Sequence, residues 1–454
     1  MLRVTIAGAS GFIGRHMIQS IQDTHTVKAL SRSIRKYEHQ NVVFKQTDLF
    51  SLTSVTEALK DTDIAIYLVH SMMPSSRLFQ GNFHDTDLML ADNFLEACKE
   101  NNVQQIIYLG GIVPTGHISK HLESRKEVEG VLKSSEIPCT ILRAGMVVGN
   151  GGSSFEIVKN LVHTLPAMVL PKWTETTTQI VFLDDLINIL VFCIQNQSVY
   201  DKTLDVVTGE KIKYRELIEQ TKHHLHKKSF LIPVPINYTS FSKLWVSIFG
   251  KADYSLVSPL IDSLLCDFSG ISPSEPIVEL IKHNSYKSML PNISVVKRKR
   301  LSSSKKTKHA NNVRSIQRLA EQNSYSATDI ADKYMHWLPK YLKSFIKVQE
   351  DEQRLIKFNL IGLKHPLLIL QYVPNEKDNN RAKFNIIGGI LTETKDTGWL
   401  EFRNILGGRY LLASINEFYP SLPWYLYKFS QAKIHKMTMK SFGAYLNQQE
   451  KRET

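Results

Sequence analysis

A glycine-rich turn near the start of the chain constrains the fold more than any other feature. Residues 2–14 read LRVTIAGASGFIG: a β-branched apolar run leads into three spaced glycines, and an amphipathic helical pattern follows. In such a strand–turn–helix unit the glycines permit the tight turn, the approach of backbone amides to a pyrophosphate, and close packing of the helix on the strand. The helix start also favours an anion. The sequence therefore predicts a dinucleotide-binding loop rather than an ordinary strand-to-helix connection, with these cofactor-binding residues: Gly8, Ser10, Gly11, Phe12, Ile13 and Gly14.

The second strand pattern, residues 24–32, bears on which dinucleotide is bound. Folds that select NAD place an Asp or Glu at the end of this strand, where it binds the ribose hydroxyls. This chain has no acidic residue there and instead has Arg32, followed by Arg35 and Lys36. These cations can neutralise a 2′-phosphate. We therefore predict NADP as the cofactor, with NAD as the alternative; the other interpretation of these cations is that they are merely exposed.

Further cofactor contacts are expected where later strand patterns end, because ligands of parallel sheets lie outside the carboxyl ends of the strands. Strand patterns at residues 42–45, 64–69 and 103–109 provide these ends. Asp48 has two interpretations: its carboxylate accepts a bond from an adenine amino group, or it caps the helix that starts near Ser51. The residues predicted to contact the cofactor here are Asp48, Leu49, Leu68, Val69 and Gly110.

Strand and helix patterns alternate through the first half of the chain, which is typical of a doubly wound parallel sheet. We predict an α/β Rossmann domain over residues 1–215, ending in strands at residues 139–143 and 204–208. A small helical cap with a substrate pocket is expected over residues 216–290, where prolines interrupt an aromatic-rich stretch. The aromatic residues of this stretch have the alternative role of packing the cap itself.

The composition changes again after a basic linker at residues 291–310. Residues 311–454 predict an α+β domain in which an antiparallel sheet is closed by a C-terminal helix. A helix over residues 328–345 should end or kink at Pro339. Five strand patterns follow, and a single helix with a basic face (Lys428, Lys433, Lys436 and Lys440) is expected over residues 424–446. The strand patterns cover residues 355–360, 366–372, 382–391, 398–403 and 409–418.

Charge and composition exclude several classes of protein. Seven of the cationic residues behind the net charge of +13 lie in residues 297–308, which favours a solvated linker over a nucleic-acid-binding tail. The basic linker and the last helix are the two segments predicted for a peripheral membrane contact. No apolar run is long enough to span a bilayer, and no signal peptide is recognisable. Four widely spaced cysteines without metal-ligand spacing predict buried, reduced thiols and a cytoplasmic location.

Several further motifs carry a resemblance to a known family. They are YLVHSM at residues 67–72, YLGG at 108–111, HLESRKEVE at 121–129, and the segments at residues 142–149 and 154–156. Together with the glycine loop, they resemble the atypical short-chain dehydrogenase/reductases, in particular NmrA-like proteins and the nucleotide-binding accessory subunit of respiratory complex I. Residues 313–319, 334–339 and 398–402 resemble the C-terminal domain of longer members, which implies a START-like helix-grip fold of unknown function.

The resemblance also shows where this chain departs from the family. Active members have a Ser at the end of the fifth strand and a Tyr-xxx-Lys pair on the next helix, which together move a proton and hold the ribose. Alignment on Ser124 and Glu129 puts His121 at the Tyr position and Arg125 at the Lys position, and Gly110 or Gly111 at the Ser position. Arg125 can still bind ribose or phosphate but cannot shuttle a proton. His121 can act as an acid or base, or it is a surface residue of the helix.

Other titratable residues are candidates for catalysis, helix capping or metal binding. His70 ends the fourth strand beside the expected nicotinamide path, as a catalytic group or as a hydrogen-bonded structural one. The neighbouring carboxylates Asp184 and Asp185 predict an N-cap of the following helix. His223, His224 and His226 lack a nearby carboxylate or thiol, so no metal site is predicted. The predicted catalytic residues are His121, Arg125 and His70.

Two functions follow from these patterns. The first is an NADPH-dependent reductase or isomerase of a small organic substrate, working with a non-standard catalytic set. The second is a non-catalytic NAD(P)-binding sensor or assembly protein, whose C-terminal domain binds an apolar ligand or a partner. The intact glycine loop and the aromatic cap favour the first, and the missing triad favours the second. The sequence leaves the substrate and the oligomeric state open.

Overall fold

The computed structural model describes residues 1–33, 35–71, 78–235, 237–293, 312–321, 324–342, 346–351, 354–373, 379–393 and 398–453. The chain divides into two units: Met1–Met73 with Asp87–Lys305, and Pro74–Thr86 with Lys306–Thr454. The cationic run at residues 297–308 and Met72 of the YLVHSM motif lie outside the described residues.

Strands and helices are interspersed through residues 1–293, although their alternation is interrupted in several places by two successive strands or helices. The strands are β1 (Arg3–Ala7), β2 (Thr26–Ser31), β3 (Val42–Gln46), β4 (Ile64–Tyr67), β5 (Leu78–Gln80), β6 (Gln105–Gly111), β7 (Cys139–Ala144), β8 (Met146–Val148), β9 (Ala167–Leu170), β10 (Thr177–Thr178), β11 (Ile180–Phe182), β12 (Thr203–Val206), β13 (Ile212–Lys213) and β14 (Phe230–Pro233). The helices are α1 (Phe12–Ile21), α2 (Leu52–Leu59), α3 (Phe83–Glu100), α4 (Lys120–Leu132), α5 (Ser153–Thr164), α6 (Leu183–Phe192), α7 (Tyr214–His224), α8 (Thr239–Phe249), α9 (Tyr254–Ser263) and α10 (Tyr286–Met289). Short 3-10 helices cover Lys172–Glu175, Gln197–Val199, Glu275–Leu280 and Leu290–Asn292.

The first unit is built on a seven-stranded sheet in the order β12-β7-β6-β4-β1-β2-β3. Every neighbouring pair in it is parallel, which confirms the predicted doubly wound Rossmann architecture. Helices cover both faces of such a sheet, so its central strands are apolar on both sides. Ile6, Ile66 and Ile107 are accordingly fully buried. Helix α1 packs on the sheet through Met17, Ile18 and Ile21, which repeat at helical spacing.

A cap with its own apolar core follows the sheet in the first unit. Helices α8 and α9 fall in the stretch for which the sequence predicts a helical cap, and β14 pairs in parallel with β9. The cap core gathers residues from both sides of position 216, among them Ile157, Leu161, Trp173, Val246 and Ile261. Several of the aromatic residues of this stretch remain exposed instead, including Tyr238, Phe241 and Tyr254.

The described part of the second unit contains a largely antiparallel sheet and the helices α11, α12 and α13, whose bounds follow. Its elements are β15 (Val313–Glu321), α11 (Ala327–Tyr341), β16 (Ile346–Glu350), β17 (Leu355–Leu360), β18 (Leu368–Val373), β19 (Arg381–Gly388), β20 (Gly398–Ile405), β21 (Tyr410–Phe418), α12 (Trp424–Phe429) and α13 (Gln431–Glu453). The sheet order is β16-β17-β18-β19-β20-β21-β15-β5. The predicted antiparallel sheet is therefore present, and the short strand β5 adds to it in parallel with β15. Strands β5, β15 and β16 were not predicted from the sequence.

Helices α11 and α13 pack on the sheet and share with it the apolar core of the second unit. Tyr334 of α11, Phe402 of β20 and Phe442 of α13 meet there with their ring centroids 5.0 to 6.1 Å apart. Helix α11 begins at a capping box in which Ser326 and Asp329 exchange hydrogen bonds of 3.1 Å.

Two details of the predicted helices need correction. Helix α11 continues two residues past Pro339, because a proline in the last turn removes only one hydrogen bond to the preceding turn. The single helix predicted over residues 424–446 is two helices. They are separated at Ser430, whose backbone (φ −117°, ψ −91°) is not helical. Among the described residues no helix is long and apolar enough to cross a membrane.

Candidate functional site

The glycine loop joins β1 to α1, and Gly8 and Gly14 in it have no room for a side chain. Gly8 has φ +84°, which L-residues rarely adopt, and a Cβ there would lie 2.8 Å from the carbonyl oxygen of Leu68. A Cβ on Gly14 would lie 2.5 Å from the carbonyl oxygen of Gly8. Gly11 donates its N–H to Gly8 O at 2.9 Å and is the N-cap of α1, where no side chain caps the helix. The amides at the start of α1 are thus positioned for an anion, as a dinucleotide pyrophosphate requires.

The other predicted cofactor residues lie around this loop. Leu68 and Val69 follow β4 directly, and Leu68 packs against the core beneath the loop. Arg32 follows the last residue of β2, Ser31, and both Arg32 and Arg35 are exposed. These two cations are therefore accessible to a ligand at the carboxyl end of β2.

Asp48 and Leu49 lie between β3 and α2, and one interpretation of Asp48 is corrected here. The N-cap of α2 is Ser51, whose hydroxyl accepts from the N–H of Ser54 at 3.3 Å. The Asp48 carboxylate instead accepts from the N–H of Phe50 at 3.2 Å. Such a turn within the loop is a common use of a short acidic side chain. Asp48 is therefore not the helix cap, and the adenine interpretation stays a prediction.

A cavity of about 300 Å³ extends from the glycine loop to the cap. Phe12 and Ile13 of α1 line one part of it, and Gly110 and Gly111 line it at the end of β6. The three side chains predicted to carry the chemistry, His70, His121 and Arg125, all line the same cavity. The cap contributes mainly apolar side chains: Trp173, Tyr214, Leu217, Ile218, Val246, Val257, Leu260, Ile261 and Leu264. The structure thus brings the three candidate side chains together with the glycine loop.

His70 is held by a buried carboxylate that the sequence analysis missed. Oδ2 of Asp87, on α3, lies 2.6 Å from Nδ1 of His70. Oδ1 of the same carboxylate accepts a hydrogen bond from the N–H of Ser71 at 2.7 Å. Ser124 of α4 donates to the same carboxylate at 3.4 Å. The signal for Asp87 was available in its spacing: it lies four residues before Ala91 and seven before Phe94, in phase with the apolar face of α3. A charged residue in that phase is buried and needs a partner.

His121 is a cavity residue and not a surface residue of its helix. Its Nδ1 lies 3.0 Å from the hydroxyl of Ser263 on α9, and that hydroxyl is 2.8 Å from Ser119 Oγ. Its ring packs against the ring of His70 with the centroids 4.8 Å apart. Helix α9, which is far away in sequence, covers the histidine and makes it part of the cavity wall.

Burial and neighbouring charges set the protonation of this cluster. Burial, together with the nearby His70 and Arg125, holds the pKa of His121 well below its usual value. Burial and Arg125 also lower the pKa of His70, although Asp87 acts in the opposite direction. Burial raises the pKa of Asp87, but His70 and Arg125 outweigh this and leave the pKa below its usual value. At neutral pH the cluster therefore holds an ionised carboxylate and, at His121, a neutral ring.

Arg125 is anchored at the carboxyl ends of β4 and β6. It donates from Nη1 to the carbonyl oxygen of Val69 at 3.4 Å, and its guanidinium lies 5.9 Å from the ring centroid of Tyr108. A side chain at Gly111 would point toward α4, because its Cβ would lie 3.3 Å from Leu122 and 4.0 Å from Cγ of Arg125. Gly111 is therefore the position from which a side chain would reach the Arg125 side of the cavity.

The remaining candidates serve the fold. Asp184 and Asp185 lie in the first turn of α6, and the N-cap of that helix is Phe182, so the predicted capping role is wrong. Asp185 is buried and accepts from the N–H and Nδ1 of His283, each at 3.1 Å. A strand that runs directly into a helix leaves no turn in which a carboxylate could cap. Among the described residues no three His, Cys, Asp or Glu side chains are grouped to hold a metal ion. All four cysteines are buried thiols.

Comparison with known proteins agrees with this geometry. Residues 8–164 match the family model described as NAD(P)H-binding. The chain is 29% identical over 111 residues to auxiliary protein GraX of Staphylococcus aureus, a match that covers 24% of this chain and 36% of GraX. It spans, therefore, only about a third of the length of that relative. It is also 22% identical over 295 residues to UDP-glucose 4-epimerase of Vibrio cholerae, covering 59% of this chain and 87% of the epimerase.

Solved structures that resemble the chain include sugar-nucleotide epimerases. A nucleoside-diphosphate-sugar epimerase from Staphylococcus aureus aligns with a TM-score of 0.47 at 16% identity, covering 62% of this chain and 100% of that one. UDP-N-acetylglucosamine 4-epimerase from Bacillus cereus aligns with a TM-score of 0.43 at 17% identity, covering 61% of this chain and 99% of that one. The parallel sheet and the glycine loop agree with the match of residues 8–164 to an NAD(P)H-binding family, and this part of the chain has the Rossmann type of fold.

Proposed function

We propose that the chain is an NADP(H)-dependent reductase or isomerase of a small organic substrate, of the atypical NmrA-like kind, located in the cytoplasm. His70, His121 and Arg125 take the place of the usual Ser-Tyr-Lys set. One observation carries the proposal: a single cavity joins the start of α1 to these three side chains. A dinucleotide held by the glycine loop would have its reactive end directed along the same carboxyl edge of the sheet.

The glycine loop supports binding of a pyrophosphate, and Arg32, directly after β2, supports NADP over NAD. The amides at the start of α1 fit the pyrophosphate, and Gly8, Gly11 and Gly14 permit the tight backbone turn that positions them. Arg32, exposed at the end of β2 where an acidic residue would select NAD, would pair with a 2′-phosphate. NADPH, when bound, supplies a hydride to the substrate.

The chain must then supply or accept a proton, and His70 is arranged to do so. Because the Asp87 carboxylate is ionised, the His70 ring places a hydrogen on Nδ1 and donates it to Asp87. The neutral ring therefore accepts a proton at Nε2, and Asp87 stabilises the resulting imidazolium. His121, kept neutral by its lowered pKa, can donate a hydrogen bond to a substrate oxygen. Arg125 keeps its charge and would hold ribose, phosphate or a developing oxyanion.

The cap favours a neutral, apolar substrate over a sugar nucleotide. Two of the relatives named above act, by their names, on UDP-sugars. A diphosphate needs cations, yet among the described lining residues Arg125 is the one with a fixed charge. The wall opposite the glycine loop consists largely of Trp173, Val246 and Leu260 with similar apolar neighbours. We propose quinones or enones as the substrate class, because an activated double bond accepts hydride readily and the rest of the molecule is apolar.

A second function is favoured by one specific observation, the replacement of all three usual catalytic residues by His121, Arg125 and a glycine. In this alternative the first unit binds NAD(P) for stability or redox sensing and does not turn over. The second unit, proposed as a START-like helix-grip domain, then binds an apolar ligand or a partner.

Titration of the purified chain with NADPH and NADH, followed by nucleotide fluorescence and thermal shift, tests binding. A ligand that binds only the native state raises its apparent stability. We expect tight NADPH binding that Gly11→Val abolishes and that Arg32→Ala weakens more than NADH binding. Lys227→Ala, which removes an exposed cation after α7, is the matched control and should have little effect. Absence of binding by both nucleotides would refute the proposal.

Turnover separates the two functions. We expect NADPH oxidation with some members of a panel of quinones and enones, and none with UDP-glucose. His70→Asn and His121→Asn should each lower kcat while leaving NADPH affinity within about twofold, since neither side chain is assigned to the cofactor. Intact NADPH binding without oxidation across the panel would favour the non-catalytic function.

A further inference from the structure

Helices α12 and α13 present a group of large apolar side chains to solvent. On α12 these are Tyr425 (51% exposed), Leu426 (49%) and Phe429 (68%), and on α13 they are Ile434 (58%) and Met437 (64%). We call these five residues the α12–α13 patch. Scattered apolar residues on a surface are ordinary, but a cluster on two adjoining helices marks an interaction surface.

The patch is not needed for the core of the second unit. The opposite sides of the same helices already fill that core through Tyr427, Met439, Phe442 and Leu446, all of them buried. Helix α13 is therefore apolar toward the sheet and again apolar at Ile434 and Met437 on the exposed side. Packing within the unit explains the first of these faces and leaves the second without a role.

The charged residues of the segment that carries the patch are all basic. Lys433, Lys436 and Lys440 are exposed on α13, and residues 419–449 contain no Asp or Glu. The ammonium of Lys433 lies 5.5 Å from the ring centroid of Phe429, so cation and apolar side chain share one surface. Lysine can keep its ammonium in the polar layer while its aliphatic stem lies along apolar surface. The patch thus combines apolar side chains with a rim that attracts anions.

We propose that the α12–α13 patch docks the protein on an anionic lipid bilayer. Helix α13 then lies in the plane of the interface, with Phe429, Ile434 and Met437 at the boundary of headgroups and acyl chains and the lysines against anionic headgroups. A second copy of the chain fits the patch less well, because two copies facing each other would oppose lysines to lysines. The proposal is independent of any activity of the NAD(P)H-binding domain.

Sedimentation of the full chain with vesicles tests the proposal. We expect binding to vesicles of phosphatidylcholine with 30% phosphatidylserine at low salt, weaker binding at high salt because the headgroup charges are screened, and little binding to phosphatidylcholine alone. The variant Lys433→Gln/Lys436→Gln/Lys440→Gln should lose about fivefold in affinity per lysine removed. The variant Phe429→Ser/Ile434→Ser/Met437→Ser should lose binding at either salt concentration.

The matched control is Ile361→Ser/Leu363→Ser, which removes two exposed apolar side chains elsewhere in the second unit and should bind as the parent does. Thermal unfolding verifies that each variant is folded. Undiminished vesicle binding by the patch variants would overturn the proposal and direct attention to the basic linker. Binding to neither vesicle would overturn it as well. A dimer that the Ser variant dissociates would identify a second copy as the occupant instead.

Discussion

The packing of α1 on the glycine loop leads to a specific prediction for Gly14→Ala. A Cβ at this position would lie 2.5 Å from the carbonyl oxygen of Gly8 and 2.7 Å from Cα of Ala9. The first distance is about 0.9 Å short of the 3.4 Å at which ordinary contact begins. Both atoms belong to the backbone, so no side-chain rotation relieves the overlap, and α1 must move away from the loop.

The expected change in the free energy of unfolding is the balance of two opposing effects. Forcing a methyl group into a packed site costs about 1–3 kcal/mol, and the rigid backbone neighbours place Gly14 at the upper end of this range. Alanine in place of glycine within a helix returns up to about 1 kcal/mol. We therefore expect the free energy of unfolding to fall by about 2 kcal/mol. Because the displaced amides are those assigned to the pyrophosphate, NADPH affinity should also fall by about tenfold or more, a loss of about 1.4 kcal/mol.

Urea unfolding and NADPH fluorescence titration measure the two effects. The matched control is Gly116→Ala, since a Cβ at Gly116 meets nothing within 4 Å. The control should be neutral or slightly stabilising, as it restricts the unfolded chain. If Gly14→Ala has the same free energy of unfolding and the same NADPH affinity as the parent, the predicted overlap between α1 and the loop is contradicted.

Three more predictions concern buried charges. Lys159→Ala should lower the free energy of unfolding by about 3–5 kcal/mol, because the buried Glu156 carboxylate, 2.9 Å from the Lys159 ammonium, loses its cationic partner. In urea unfolding, the double variant Glu156→Gln/Lys159→Met should regain most of this lost stability. Asp87→Asn should lower the free energy of unfolding by about 1–3 kcal/mol and lower the pKa of His70 further in an NMR titration, since His70 loses its anionic partner; an unchanged His70 titration would contradict the pairing. The unfolded chain binds a proton at His121 more readily than the native state does, so stability should fall as the pH drops from 7 toward 5. His121→Gln should flatten that dependence and the exposed His336→Gln should not; equal slopes in the two variants would contradict the lowered pKa.

Most of the fold of the first unit could be predicted from local sequence patterns. The glycine loop has one structural solution at the end of a strand, and alternating strands and helices leave few topologies other than a doubly wound sheet. His70, His121 and Arg125 were found from positions relative to predicted strand ends and family motifs. The structure puts them in one cavity because parallel strands end at the same edge.

Contacts between segments that are distant in the sequence could not be predicted. Asp87 meets His70 from 17 positions away, and Ser263 meets His121 from 142 positions away. The spacing of Asp87 on α3 signals its burial but not its partner His70, and the contact of His121 with Ser263 exists only because α9 folds over α4. Strand β5 is three residues long, too short for an alternating pattern to distinguish it from a loop.

That short strand makes the second unit discontinuous along the chain. Strand β15 pairs with β21 on one side and with β5 on the other. The ion pair between Arg318 and Asp85, 2.9 Å long, joins residues 233 positions apart in the same unit. During synthesis, β5 must therefore wait until more than two hundred later residues have emerged before its partner strand exists. A fragment that starts at residue 312 would leave that edge of β15 unpaired and open to association with other chains. Fragments intended for the second unit should thus carry residues 78–86 as a tethered or added peptide.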